Sequence, residues 1–150
     1  MKSTASVSLR YGLIIAAALI AYFLILRLLG LHMNPWFRLF NGVIMAAGLY
    51  MSIKFYKSDN EVFNYTNGFA TGLLTGIFAT IIFTVFMGIY MFHLDRDFMD
   101  HLLKNWVKNS SYGGGILIFI ILVEGVSSTA VLTLMFMQIF KKTTKISQKT

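Results

Sequence analysis

Four apolar runs, at roughly 11–31, 36–56, 69–92 and 116–140, take up most of the 150 residues. Each is long enough to cross the hydrocarbon core of a bilayer as an α-helix, which takes about 20 residues. Inside lipid every backbone N–H and C=O must find its partner within the protein, so only helices and closed β-barrels span. The alternating pattern of a barrel strand is absent. The expected fold is therefore all-α, an integral membrane four-helix bundle forming a single domain. Composition agrees: 57% of residues are hydrophobic and 13% charged, where soluble domains carry about a quarter charged residues.

The first run begins after Lys2 and Arg10, as a secretory signal does, but its apolar stretch exceeds the roughly 7–15 residues of a signal core. It reads as a retained span. "HMNP" (32–35) forms a tight turn, because Pro35 disfavours helix at Asn34 and can itself open the next helix. "KSDNEVFNYTNG" interrupts the second and third runs, and "SSYGGG" precedes the fourth. The net charge of +7 does not point to nucleic acid, because the cations sit at run ends. Lys2, Arg10, Lys54, Lys57, Lys141, Lys142, Lys145 and Lys149 fall on one side; Arg27, Arg38, Arg96, Lys104 and Lys108 fall on the other. That bias places both termini in the cytoplasm, with the lipid bilayer itself as partner.

Between the third and fourth runs, "LDRDFMDHLLKNWVKNSS" is too short and too charged to span. Phe98, Met99, Leu102, Leu103, Trp106 and Val107 repeat as one helical stripe, with charged and polar residues opposite. Asp95 or Asp97 suits the N-cap and the lysines suit the last turn. The expectation is an amphipathic interfacial helix over about 95–108.

In the third run Gly68, Gly72 and Gly76 recur every four residues. Such a face lets another backbone approach closely where packing, rather than hydrophobicity, holds helices together. It serves either packing within the chain or a homo-dimer or larger membrane complex.

Glu124 stands alone as an acid within an apolar run. Counting ~1.5 Å per residue from each run's outer end puts Glu124 about 12 Å deep, Arg27 ~6 Å, Asn41 ~7 Å and Thr84 ~12 Å, so long side chains bring all four within one layer. Arg38 is shallower and snorkels to the headgroups. An ionised carboxylate at such depth costs several kcal/mol unless paired. Three roles follow: a structural tie to Arg27, Asn41 or Thr84, a proton or ion site, or a contact to another subunit.

Catalytic chemistry finds little foothold. There is no cysteine, and His32, His93 and His101 lack the spacing of a zinc helix. No phosphate loop or nucleophile elbow is present. The His and Asp residues of "HLDRDFMDH" read as solvated helix charges rather than a metal site. No cofactor, metal or catalytic residue is expected.

"FNYTNGFATGLLTGIFATIIFTVFMGIYMFHLDRDFMD" (63–100) and "LVEGVSSTAVLTLMFMQIFKK" (122–142) resemble the family called domain of unknown function 4199, found mainly among Bacteroidota. The resemblance implies an uncharacterised bacterial four-helix protein of the inner membrane, and transfers architecture without a catalytic residue. The expected function is a non-enzymatic accessory or interaction protein. The alternative is a small ion- or proton-coupled transporter component using Glu124.

Overall fold

The computed structural model describes residues 3–60, 63–107 and 113–147, the side chains of Trp106 and 142–147 excepted. Lys2, Lys108, Lys149, the Trp106 indole and the side chains of Lys142 and Lys145 therefore lie outside the described residues. α1 (Thr4–Leu28) opens at Ser3, whose Oγ accepts from the Ser6 N–H at 3.2 Å. It ends three residues before the apolar run does, because Gly30 adopts φ +70°, a conformation that costs glycine nothing. The Gly30 N–H then reaches Arg27 O at 3.0 Å and the Leu31 N–H reaches Leu26 O at 2.9 Å, closing the helix in a Schellman motif.

Asn34 caps α2 (Pro35–Asp59), accepting from the Trp36 N–H at 3.1 Å, with Pro35 at the first helical position. Asn64 caps α3 (Tyr65–Ile89) in the same way, accepting from the Thr66 N–H at 3.0 Å. That cap draws part of the polar "FNYTNG" stretch into the helix. α3 runs on through a π turn, Tyr90–Leu94, to Asp95. Asp95 caps the short α4 (Arg96–Leu102), which continues as a second π turn, Leu103–Val107. α5 spans Gly115–Ser147.

α1, α2, α3 with its π turn, and α5 are all long and apolar enough to cross a membrane. The outward surfaces agree: Leu13, Val43, Val85 and Val131 are each more than half exposed, a load of apolar surface that lipid, not water, accommodates.

α3 is the central element and packs on α1, α2 and α5. α1 rises beside it in parallel: Ser8 Oγ donates to Thr71 O at 3.1 Å, and nearer the far end Phe23 meets Phe86 edge-on. α2 descends, placing Ser52 Oγ 2.8 Å from Thr75 Oγ1. Thr75 Oγ1 lies 2.6 Å from Thr71 O, and Thr71 Oγ1 donates to Asn67 O at 2.8 Å. The hydroxyls of Ser8, Ser52, Thr71 and Thr75 thus stitch three spans together, each bonded within the protein.

α5 also descends, and its contact with α3 is a set of interlocked small residues. A Cβ added at Gly68 would lie 2.5 Å from Phe63 Cζ and 3.2 Å from Met137 Cε, and one at Gly72 would lie 2.7 Å from Thr133 Cγ2. One at Gly76 would strike the Thr129 side chain, and one at Gly125 would lie 2.5 Å from Thr80 Cγ2. Each step of four along α3 matches a step of four back along α5. The glycine face is therefore filled from within the chain.

At the other end α4 folds under the bundle. Phe98, Leu102 and Leu103 are buried against Phe23, Met87, Tyr90 and Met91, with Met99 and Val107 partly buried beside them. Asp97, Asp100, His101 and Lys104 are exposed.

Candidate functional site: the Arg38–Glu124 pair and the cavity beside it

Glu124 meets a guanidinium, but not that of Arg27. Arg38 Nη2, in the first turn of α2, donates to Glu124 Oε2 at 2.9 Å. Arg27 instead lays its guanidinium over the Tyr90 ring, 5.0 Å from the centroid. The reason lies in how the helices are offset. α2 and α5 run in the same direction, and the sequence separation that joins Arg38 to Glu124 also brings Tyr50 onto Phe136, ring centroids 5.6 Å apart. α5 reaches Glu124 nine residues after its start, whereas α2 reaches Arg38 after three. Depth counted along α5 alone made Glu124 deeper than its neighbours are.

The pair sits on the seam between α2 and α5. Its side chains are 27% and 54% exposed for Arg38 and Glu124 respectively, so Glu124 lies at the edge of the bundle rather than inside it. Neither Asn41 nor Thr84 bonds to it: Asn41 Oδ1 and Thr84 Oγ1 are buried without hydrogen-bond partners.

Beside the pair is a cavity of about 270 Å³. All five helices contribute to its wall, which is mainly apolar and includes Phe23, Met45, Phe83 and Met87. Asn34, Asn41, Thr80, Ser128, His32 and the ion pair supply its polar lining. Thr84 is not among the lining residues; Thr80, one turn nearer the start of α3, takes that place, and its Oγ1 is also without a partner.

A second polar group gathers where α3 leaves the bundle. Asp95 accepts from the Phe98 N–H at 3.0 Å and from the Tyr90 hydroxyl at 2.9 Å, and lies 3.8 Å from His32 Nε2. Burial by itself would raise the pKa of Asp95. The two hydrogen bonds, with His32 and Arg27 nearby, outweigh it and hold this carboxylate below its usual range. His32 packs between Phe23 and Phe98, ring centroids 6.4 and 5.1 Å away. The sequence marked Asp95 as a cap. It did not mark His32, which lies in a turn more than sixty residues away, and the surplus of aromatics in "GIYMFHLDRDF" was the available signal.

Among the described residues no three His, Asp or Glu side chains are grouped as metal ligands. His101 is instead engaged with Asn105, Nε2 to Nδ2 at 2.9 Å. Chemically, the site offers an ion pair at the edge of an apolar chamber, with polar atoms that await a partner.

Residues 10–142 match the family described as Protein of unknown function (DUF4199), and the chain belongs to that family. No curated protein and no solved structure matches it.

Proposed function

We propose that the protein is a non-enzymatic accessory or interaction subunit of a membrane assembly, and that it meets its partner through the uncovered face of α5. The observation that carries this reading is how little of α5 the chain itself covers. In its most apolar stretch 11% is buried, against 28–39% for the other three spans. Ser127 and Gln138 are exposed on the same stripe of that helix as Val131 and Glu124. Hydrocarbon gives their polar groups nothing to bond, while a neighbouring helix does. A second copy of the chain is one such partner, although Gly68, Gly72 and Gly76 are already covered from within the chain.

The orientation belongs to the same proposal: a bacterial inner membrane, with both termini cytoplasmic. Lys57 Nζ donates to Phe140 O at 3.5 Å and Lys141 lies over Tyr65, so these cations gather at one end of the bundle. Arg27, Arg38, Arg96 and Lys104 are at the opposite end, and over the whole sequence that side carries five Lys and Arg against eight, the bias on which the positive-inside rule rests.

A photo-crosslinking residue at Ser127 or Val131, activated in native membranes, is expected to trap a discrete adduct that one at Val85 on α3 does not. Equal labelling from all three positions contradicts the reading. The alternative, an ion- or proton-coupled component, has one observation in its favour: Glu124 lines a cavity. It requires that Glu124→Gln abolish flux in proteoliposomes while leaving the fold intact.

A further inference from the structure

The cavity contains more than partner docking requires. An apolar cavity of about 150 Å³ holds a benzene molecule. On that scale about 270 Å³ accommodates roughly ten or eleven non-hydrogen atoms. The wall is suited to an aliphatic chain, with Leu19, Met45, Phe83 and Met87 among its residues. Asn41 Oδ1 and Thr80 Oγ1, on two lining residues, have no hydrogen-bond partner, which is costly to leave so in a bilayer. Gly42, Arg38 and Glu124 lie at the rim, on the seam that faces lipid.

The rim also constrains the charge of an occupant. Arg38 and Glu124 already neutralise each other at 2.9 Å. An anionic head would have to take Arg38 and leave Glu124 without its counter-charge, and a cationic head would do the reverse to Arg38. A hydroxyl avoids both costs, because it donates to a carboxylate or amide oxygen and accepts from a guanidinium while the pair stays intact. We infer that this cavity is a lateral binding site for an uncharged single-chain amphiphile, an aliphatic chain of about ten carbons ending in a hydroxyl-type head. The chain lies among the apolar wall residues and the head lies between Asn41 and the Arg38–Glu124 pair. It enters sideways from the bilayer.

The inference needs no partner protein, so it stands or falls separately from the docking role of α5. Its test uses the full chain in nanodiscs with three probes of equal length: decan-1-ol, decanoate and decylammonium. Methyl NMR of the methionines reads the cavity directly. Met45 and Met87 line it, whereas Met137 is buried in the inner core and Met135 faces outward. Decan-1-ol is expected to shift Met45 and Met87 saturably, at concentrations at least tenfold below those needed for either charged probe, and to leave Met135 and Met137 unmoved. Gly42→Leu should abolish those shifts. A Cβ at Gly42 meets nothing within 4 Å, so the larger side chain starts from open space at a residue that lines the cavity. If that variant does not fold, Ser128→Leu obstructs the cavity from α5. A charged probe that binds as well as the alcohol overturns the inference. So do equal shifts at all four methionines, shifts that survive obstruction of the rim, or a cavity that responds to no probe.

Discussion

Thr129 on α5 stands in the notch left by Gly76 on α3, and its Oγ1 bonds the Gly125 carbonyl at 2.8 Å. That bond fixes the rotamer of a β-branched side chain that has few alternatives in a helix. Thr129 therefore cannot turn aside for a methyl group. Gly76→Ala should destabilise the bundle by about 1–3 kcal/mol through overpacking, despite alanine's better helix propensity. Combined with Thr129→Gly, the loss should be smaller than the sum of the two single variants, as residues in contact require. Unfolding in mixed micelles measures each variant, and strictly additive losses would count against the interlock.

Asp95 gives a pH dependence of definite sign. Its folded pKa is depressed, so its contribution is fully present above the ordinary carboxylate pKa of about 3.9 and is lost as pH falls through the lower folded value. The loss of the Asp95 carboxylate should loosen the junction of α3 and α4 below about pH 4. Hydrogen exchange at the Phe98 amide reports this, since that amide is the one Asp95 caps. Asp95→Asn should keep the cap and flatten the acid response. Asp95→Ala should cost about 1 kcal/mol at neutral pH.

The spans were legible because length and hydropathy suffice to find them once water is excluded. The "NP" cap of α2 was legible for a similar reason: its chemistry is local. The glycine spacing on the third run announced a close approach, but whether α5 or a second copy made it depended on relative helix positions, which a periodic pattern does not encode. The same gap misdirected the reading of Glu124. Depth along one helix says nothing of how far its neighbour has slid, and Arg38 reads as too shallow because α5 begins six residues further out than α2. The His32–Asp95 approach and the cavity were the least legible, because one joins residues distant in sequence and the other is a place where packing stops.

Orientation is testable without any structure. Single cysteines at Ser3 and Ser147 should react with a membrane-impermeant maleimide only once the cytoplasmic face is opened, and one at Asn109 should react in intact cells. The expectation rests on the excess of Lys and Arg on the terminal side. Labelling of Ser147 in intact cells would reverse it.

The most direct test of the site is a pair of double-mutant cycles on Glu124→Leu, one with Arg38→Met and one with Arg27→Met, each measured as unfolding free energy in the same mixed micelles. Removing one partner leaves the other's charge exposed to hydrocarbon, so either single change at the pair should cost about 1–3 kcal/mol. The expected result is a coupling of about 1–2 kcal/mol between Glu124 and Arg38, and none beyond error between Glu124 and Arg27. Coupling to Arg27 with none to Arg38 would contradict the tie between α2 and α5.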